Sequence, residues 1–228
     1  MNEPVHSKKT TAREPKAAGK ETTRTNDPER TKAGILAVAT QEFGEKGLAG
    51  ARIDEIAAAT HTSKRMIYYY FGSKEGLYLA VLEESYRSIR AIESRLQLDD
   101  LEPVAALRTL VGFTFDHHRS NENYIRLVMA ENMLRGQYMA QSKSIQDLNV
   151  PAIATISRLY ERGLASGVFR PGLDPVDIHA SISALTFFNV SNEHTFGLIF
   201  KLDTRAPTYA AHRRECVIDM IVRYLRAP

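Results

Sequence analysis

The chain has 228 residues, of which 43% are hydrophobic and 25% are charged, so it can bury one large core or two small ones. Its formal net charge at pH 7 is only +3, which means that any contact with nucleic acid must come from a local basic patch. A single cysteine excludes an internal disulfide framework and no apolar run is long enough to span a membrane, so we predict a cytoplasmic protein.

The N-terminal segment, residues 1–27, is polar and carries scattered lysines and arginines with almost no bulky apolar residue. It cannot bury enough apolar surface to offset the entropy of ordering, so we predict a disordered basic arm. Two interpretations stay open, an arm that lies along a DNA backbone or minor groove and a plain solvated tail. Asp27 at a cap position and Pro28 at the first helical position then predict a helix that Gly44 and Gly47 close.

Two short helices follow, with a tight break between them. The first runs from Ile53 to about Ala59, because its apolar residues recur at helical spacing and share one face. The break is Thr60-His61-Thr62, after which Ser63 can cap a second helix from about Lys64 to Tyr70. Ser73 is placed to cap the helix after that.

The second short helix predicts a surface that binds a polyanion. Ile67 and Phe71 point towards a core. The opposite arc holds Lys64, Arg65, Tyr68 and Tyr69. Lysine and arginine reach guanine edges or phosphates and tyrosine hydroxyls donate to phosphates, so this face favours the major groove of DNA. The alternative is a plain helical hairpin with the tyrosines as a core stripe, although three consecutive helical residues cannot all face inward.

Apolar residues continue at helical spacing through the rest of the chain. The predicted helices cover residues 73–96, 104–118, 121–134, 145–166, 175–190, 194–200 and 207–226. Arg90 and Glu93 are assigned to a solvated side of the first of these helices. There is no long alternating strand and no internal repeat, so the predicted fold class is all-α.

The helix over 175–190 is apolar on two sides. One stripe consists of Ile178, Ile182, Leu185 and Phe188, and the other of Ala180, Ala184 and Phe187. A helix of this kind packs on two partners, which predicts its own body on one side and a symmetry mate on the other. Together with the helix over 207–226 it would form the four-helix interface of a homodimer, the alternative being a core within one subunit.

The sequence shows no catalytic or metal-binding constellation. Its histidines are scattered without the spacing of a zinc site, and it has neither a glycine-rich phosphate loop nor a Gly-x-Ser-x-Gly elbow. We therefore predict that the chain is not an enzyme and that it holds no metal and no cofactor. Cys216 lies in an apolar helical pattern, which predicts a buried, inert thiol.

These features together resemble one known family. The residues that carry the resemblance are Ile35, Leu36, Phe43, Gly47, Ile56, Ala57, Ser63, Lys64 and the run Ile67–Leu77. They closely resemble the DNA-binding domain of TetR/AcrR-type repressors over about residues 30–78, and residues 64–71 are similar to the branch with nicotinate and pyrimidine-catabolism regulators. The resemblance implies an N-terminal three-helix helix-turn-helix domain over residues 28–76. It also implies a C-terminal helical domain for ligand binding and dimerisation over residues 77–228.

The chain departs from the family pattern at two places. Thr60-His61-Thr62-Ser63 replaces the usual Ala-Gly-Val-Ser, which puts His61 where the backbone often takes a positive φ. Arg52 stands where the family often has a capping threonine or serine, and arginine cannot accept a capping bond but can pair with phosphate. We expect these changes to affect sequence preference and not the mode of binding.

The resemblance implies a homodimeric transcription regulator, most simply a repressor, that binds a palindromic operator in double-stranded DNA. The predicted DNA-binding residues are Arg52, Thr62, Ser63, Lys64, Arg65, Met66, Tyr68, Tyr69, Tyr70 and Lys74. Lys64, Arg65 and Met66 would read bases, and most of the others would contact the backbone. Lys74, at the start of its helix, would hold a phosphate.

The resemblance also implies a pocket for a small-molecule effector among the middle helices. The residues predicted to line it are Phe113, His117, Arg126, Met129, Tyr160, Phe187 and Asn189. If Arg126 points inward, it predicts an acidic ligand. Ligand binding would favour a form whose two reading helices no longer match half-sites one turn of DNA apart. The rival interpretation is an architectural protein that coats DNA and senses no ligand.

Overall fold

The computed structural model describes residue 1 and residues 27–227, so the predicted arm lies outside the described residues apart from its two ends. The described residues form ten α-helices and no strand beyond an isolated bridge between Phe169 and Arg226. The helices are α1 (Pro28–Gly50), α2 (Ile53–Ala59), α3 (Lys64–Phe71), α4 (Lys74–Glu93), α5 (Pro103–Ser120), α6 (Glu122–Met133), α7 (Ser144–Ala165), α8 (Pro175–Ser191), α9 (Glu193–Phe200) and α10 (Pro207–Leu225). The predicted all-α fold is confirmed.

The helix starts follow the capping residues that the sequence supplies. The carboxylate of Asp27 accepts hydrogen bonds from the backbone N–H groups of Glu29 and Arg30, at 3.1 and 3.3 Å. Asp174 caps α8 in the same way. The end of α1 differs from the prediction, because the backbone leaves the helix at Gly47, with φ of 66°, and resumes for one more turn to Gly50. Glycine makes this kink without a steric cost.

The first of two hydrophobic cores lies beneath the N-terminal bundle, by which we mean α1, α2, α3 and the first half of α4. Its fully buried centre includes Ile35, Phe43, Ile56 and Ile67. The same core also contains Leu127 from α6 and Ile145 from α7, both of them buried. Two helices that follow much later in the chain therefore complete the core of the N-terminal bundle.

The second core lies in the body, by which we mean α5–α10 and the second half of α4. Leu107 and Phe115 of α5 pack there against Leu159 of α7, Ile182 of α8 and Ile221 of α10. Burial of these side chains holds the four helices together. The helix α4 belongs to both units, since Val81 lies in the first core while Ile89 lines a cavity of the body.

The two sides of α8 differ from the predicted stripes at two residues, because Phe188 lies on the exposed side and Phe187 lines the cavity of the body. Ile178 and Ile182 of α8 are buried, whereas Ala180, Ala184 and Phe188 are exposed four residues apart on its other side. The prediction that the thiol of Cys216 is buried is wrong. It is half-exposed on the outer side of α10, with Sγ 3.4 Å from Nε2 of the exposed His212.

Across residues 27–227, the helices lack any stretch whose length and apolar character would suffice to cross a lipid bilayer.

Candidate nucleic-acid interface and ligand cavity

The break between α2 and α3 is a tight turn held by the backbone. The N–H of Thr62 donates to the carbonyl oxygen of Ala57 at 3.0 Å, and the hydroxyl of Thr60 donates to that of Ile56 at 2.7 Å. His61 between them has φ of 51°, in the left-handed region that glycine occupies more readily. The turn therefore has the positive φ expected at this position, although histidine adopts it less readily than glycine.

Helix α3 is anchored on its inner side and presents four side chains outward. Ser63 caps it, with Oγ accepting from the N–H of Met66 at 3.2 Å. Ile67 is completely buried, while Tyr68 and Tyr69 are 43% and 77% exposed. The helix ends at Gly72, where φ is 76°. Its surface is thus held outward by the burial of Ile67 and by the packing of Tyr70 and Phe71 against the same core.

The cations of this surface differ in how they are compensated. The ammonium group of Lys64 forms an ion pair with Asp54 of α2. The guanidinium of Arg52 lies 4.0 Å from the carboxylates of Asp54 and Glu55. Among residues 27–227, no acidic side chain lies within 4 Å of the guanidinium of Arg65. Arg65 is therefore the cation of α3 whose charge is left for an incoming anion.

Two of the predicted DNA-binding residues have partners inside the N-terminal bundle. The ammonium nitrogen of Lys74 donates to the carbonyl oxygen of Ala49 at 3.3 Å. Tyr70 is half-buried, and the ammonium nitrogen of Lys32 lies 5.7 Å from the centre of its ring. Both contacts fix α3 and α4 against α1.

The ten predicted residues all lie at the start of α2, in the turn, on α3 or at the start of α4. The exposed ones are Arg52, Ser63, Lys64, Arg65, Tyr68 and Tyr69. The half-buried ones are Thr62, Met66, Tyr70 and Lys74. Helix α3 itself carries the densest group, because Lys64, Arg65, Tyr68 and Tyr69 are all exposed on its eight residues. A helix of this size fits a DNA major groove.

A cavity of about 220 Å³ lies in the body between α4, α5, α6, α7 and α8. Its aromatic wall consists of Tyr86, Phe113, Tyr124 and Phe187. Its polar groups include Arg90, Glu93, His118 and His179. The rest of the wall is mainly aliphatic, with Thr114, Asn149 and Ser183 as further polar residues. A largely apolar cavity with a few convergent polar groups is typical of a small-molecule site.

The charged groups of the cavity are buried. Arg90 and Glu93 form an ion pair one turn apart on α4, with side chains 13% and 10% exposed. Burial raises the pKa of Glu93, and the neighbouring guanidinium of Arg90 opposes that shift. The prediction that Arg90 and Glu93 lie on a solvated side is wrong, because both side chains line the cavity that α4 forms with α5, α6, α7 and α8.

The histidines of the cavity are neutral near pH 7. Burial lowers the pKa of His118 to about 4, with a smaller contribution from His117 beside it. Burial lowers the pKa of His179 and of His117 as well. Since a neutral imidazole has one donor and one acceptor nitrogen, these rings can bind a ligand without adding charge to the cavity.

Two of the seven residues predicted to line a pocket, Phe113 and Phe187, do line this cavity. Tyr160 lies in the core of the body, where its hydroxyl donates to the carbonyl oxygen of Arg170 at 2.8 Å. The carboxamide oxygen of Asn189 instead accepts from Nε of Arg213 on α10 at 3.2 Å. The predicted residues therefore do not form one pocket.

The other three predicted residues line shallow outer clefts. His117 is buried behind the cavity and borders a cleft near Asn121. Arg126 and Met129 border another cleft, where the guanidinium of Arg126 pairs with Glu122 at 2.7 Å. Arg126 therefore gives no support to an acidic ligand in the cavity. The polar residues that do line the cavity were not among those predicted, because their spacing in the sequence does not distinguish a cavity wall from a solvated helix face.

Glu122, Glu193 and His194 also approach one another, with one ligand atom of each within 4.8 Å of the others. The carboxylate of Glu193 is 8% exposed and pairs with the guanidinium of Arg205. Arg205 and Arg126 both pair with Glu122 as well. The arginines already neutralise the two carboxylates, so the cluster is an ion-pair network that joins α6, α9 and the loop before α10.

Comparison with known proteins identifies the family. Residues 35–81 match the family described as bacterial regulatory proteins, tetR family, and residues 103–221 match the tetracyclin repressor-like C-terminal domain. The chain is 32% identical over 203 residues to the HTH-type transcriptional repressor NicS of Pseudomonas putida, an alignment that covers 89% of this chain and 96% of that protein. It is 31% identical over 155 residues to the HTH-type transcriptional regulator RutR of Escherichia coli, covering 68% and 71% of the two chains.

Solved structures agree with the sequence comparison. The putative transcriptional regulator SCO4942 from Streptomyces coelicolor superimposes with a TM-score of 0.65 at 26% identity, covering 87% of this chain and 99% of that one. The N-terminal match covers the turn and α3, and the C-terminal match covers most of the body. The chain therefore belongs to the TetR family of DNA-binding transcriptional regulators and is not an enzyme.

Proposed function

We propose that the chain is a homodimeric repressor that binds a palindromic operator through α3 and leaves it when a small molecule occupies the cavity. The observation that carries this proposal is the surface of α3. Ile67 is completely buried beneath it while Arg65 and Tyr69 are exposed, so the helix holds a cation and a phenol ready for an anionic partner. NicS, to which the chain is similar along most of its length, is itself named a transcriptional repressor.

The side chains on and around α3 support two separate roles, contacts to bases and contacts to phosphates. Lys64 and Arg65 occupy its first turn, the part of a recognition helix that lies nearest the base edges. Arginine can form two parallel hydrogen bonds to guanine, and the accessible part of the half-buried Met66 can contact a thymine methyl group. Arg52, Tyr68 and Tyr69 stand around this turn and are suited to phosphate contacts. The ion pair between Lys64 and Asp54 would open when Lys64 meets DNA.

The outer face of α8 supports pairing with a second copy. Ala180 and Ala184 are small and exposed, and Phe188 follows them on the same side with 43% of its surface exposed. Met220 of α10 is 40% exposed. Small residues allow two helices to approach closely, and the larger apolar side chains would lose water on association. A twofold interface would place two α3 helices on one DNA duplex, as a palindrome requires.

The two cores support coupling between the cavity and α3. Tyr86 of α4 and Tyr124 of α6 line the cavity, with ring centres 5.6 Å apart. The same two helices contribute Tyr78 and Leu127 to the core of the N-terminal bundle. A ligand that moves α4 or α6 would therefore move part of the core on which α3 rests, and would favour a different spacing of the two α3 helices.

The proposal is tested by selecting DNA sites from a random duplex library and measuring binding by fluorescence anisotropy at fixed salt. We expect one palindromic site to be enriched, and Lys64→Ala/Arg65→Ala to weaken binding to it by about 100-fold. Arg158→Ala is the matched control, because Arg158 is 54% exposed on α7, away from α3 and from the proposed dimer face of α8 and α10. Full binding by the double variant would contradict the proposal. Equal binding to all sequences would favour the DNA-coating alternative.

A further inference from the structure

The net positive charge of the chain is concentrated before the first helix. Residues 1–26, which we call the basic segment, hold three acidic and six basic side chains, a net charge of +3. The basic residues are Lys8, Lys9, Arg13, Lys16, Lys20 and Arg24. The whole chain has 30 basic and 27 acidic side chains, so residues 27–228 carry 24 of each sign and no net charge. The basic segment therefore supplies the entire excess of positive charge, and such an excess attracts a protein to the phosphates of nucleic acid.

The basic segment joins the folded part of the chain beside the surface of α3. Asp27, the residue that follows the segment, lines a shallow cleft together with Arg30 of α1 and with His61 of the turn between α2 and α3. Farther along α1, the ammonium nitrogen of Lys32 lies 5.7 Å from the ring centre of Tyr70 on α3. The start of α1 therefore lies against both the turn and α3, and the basic segment begins next to the two elements proposed to meet DNA.

Arg30 is a cation at this junction without a counter-charge. It is exposed, and among residues 27–227 no acidic side chain lies within 4 Å of its guanidinium. The carboxylates next to it in the sequence have other partners. Asp27 accepts from the backbone N–H groups of Glu29 and Arg30, at 3.1 and 3.3 Å, and Glu29 pairs with Lys32 at 3.2 Å. The guanidinium of Arg30 is therefore available to phosphate oxygens, which accept readily from its fixed fork of N–H donors.

The basic segment is long enough to follow DNA away from α3. A polypeptide spans at most about 3.3 to 3.6 Å per residue, so the 26 residues of the segment can extend up to ~85 Å. One turn of a DNA duplex measures about 34 to 36 Å. Phosphates on the flank of a half-site are therefore within reach of the segment from its attachment at Asp27.

We propose that Arg30 and the basic segment form a second DNA-contact surface, which binds the backbone phosphates that flank the half-site of α3. This inference rests on the proposed function, because it takes α3 as the helix that reads the site. The second surface adds affinity that does not depend on base sequence, since every step of the duplex presents the same phosphates. Its ligand is therefore duplex DNA outside the palindrome.

The first test neutralises the basic segment in the full chain. The six basic residues of the segment are replaced together by glutamine, and binding to the selected site in a longer duplex is measured by fluorescence anisotropy at about 50 to 200 mM salt. Each phosphate contact that is lost makes the dependence of log affinity on log salt less steep by about 0.9. We expect this slope to fall in magnitude by about 2 to 5 and the affinity to fall at least about tenfold at low salt. An unchanged slope would overturn the proposal.

The control for this variant changes the charge of the same segment in the opposite direction. Glu3→Gln/Glu14→Gln/Glu21→Gln removes its three carboxylates and raises its net charge from +3 to +6. We expect tighter binding and a steeper dependence on salt, because more cations are then free to meet phosphates. A plain solvated tail predicts native slopes in both variants, and that result would contradict the proposal.

A second test addresses the described end of the surface. Arg30→Ala should make the dependence on salt less steep by about 1 and lower affinity about two- to fivefold at low salt. Its melting temperature should stay native, since among residues 27–227 no acidic side chain pairs with Arg30. Arg158→Ala on α7 is the control, because Arg158 is 54% exposed and far from α3. Native affinity and native slope in Arg30→Ala would exclude Arg30 from the surface.

The length of the duplex tests where the contacts lie. One duplex ends at the palindrome, and the other extends it by about one turn of DNA on each side. We expect the native chain to prefer the longer duplex by about fivefold or more, and the chain with the neutralised segment to lose most of that preference. An equal preference in the two proteins would contradict contacts to the flanks.

The same measurements separate this inference from the proposed function. If Lys64→Ala/Arg65→Ala abolishes the preference for the selected site while the neutralised segment leaves affinity and slope native, the reading role of α3 stands and this inference fails. If the double variant keeps that preference while the neutralised segment removes most of the affinity, the second surface stands and the reading role of α3 fails.

Discussion

Gly44 of α1 and Asn123 of α6 pack so closely that no side chain fits between them. A Cβ on Gly44 would lie 2.7 Å from Oδ1 and 2.8 Å from Cβ of Asn123. Because the nearest atoms include one fixed to the backbone of α6, a rotation of the Asn123 side chain cannot relieve the overlap. The N-terminal bundle therefore meets the body through a contact that only glycine permits.

We expect Gly44→Ala to lower the free energy of unfolding by about 1–3 kcal/mol, because α1 and α6 must separate to make room for the methyl group. Gly34→Ala on the same helix is the control. Gly34 is exposed, and nothing lies within 4 Å of its Cβ position, so alanine should raise stability by about 0.5–1 kcal/mol. Urea denaturation followed by circular dichroism measures both. If the Gly44→Ala protein were as stable as the native chain, α1 and α6 could separate at this contact with little cost in free energy.

The cap of α3 allows helix stability to be separated from DNA binding. Ser63→Ala removes the bond from Oγ to the N–H of Met66 and should cost about 1 kcal/mol. Ser63→Asp restores a capping oxygen and should keep native stability, but its charge would face the phosphates and weaken binding by about tenfold or more. The measurements are thermal denaturation and fluorescence anisotropy. Native DNA affinity in Ser63→Asp would indicate that this end of α3 lies away from the duplex.

The ion pair between Lys64 and Asp54 predicts that Asp54 restrains DNA binding. Asp54→Asn frees the ammonium group and removes a negative charge from the surface, so affinity should rise about two- to fivefold at low salt. The dependence of affinity on salt concentration should become steeper. Asp99→Asn, which breaks the pairs with Arg158 and Arg162 of α7, should leave DNA affinity unchanged. Weaker binding by Asp54→Asn would instead mean that Asp54 holds Lys64 in its reading position.

The neutral histidines of the cavity predict an acid-sensitive fold. Burial lowers the pKa of His118 from about 6.5 to about 4, so between these values the unfolded chain binds a proton that the folded chain does not. The contribution of His118 to the free energy of unfolding should therefore fall as the pH drops from 6.5 to 4. Above pH 6.5 this contribution should stay constant. The difference of about 2.5 pH units corresponds to ~3.5 kcal/mol, at ~1.4 kcal/mol per unit.

The measurement is urea denaturation between pH 4 and pH 8 for the native chain and His118→Gln. His117 and His179 shift in the same direction and remain in both proteins, so the difference between the two curves isolates His118. We expect the variant to lose less stability on acidification. Parallel curves would show that water reaches the ring of His118.

The sequence predicted the helices and the surface of α3 because local rules decide both. Asp27 and Asp174 cap helices through bonds to their own neighbours, and the spacing of Ile56 and Ile67 shows which side of each short helix is buried. The cavity could not be predicted in this way. Whether Arg90 faces water or α8 depends on how distant helices cover it, and the i, i+3 pattern of Arg90 and Glu93 is equally typical of a solvated helix.

The contribution of α6 and α7 to the N-terminal core limits how far this protein can be treated as two exchangeable modules. Leu127 and Ile145 are buried among the side chains of α1 and α4, although they follow them by many residues. A fragment that stops after α4 would lack those two side chains and would leave an unfilled cavity in its hydrophobic core. The N-terminal bundle could therefore be transferred to another regulator only if the sixth and seventh helices of that regulator supplied apolar side chains that fill the same positions in its core.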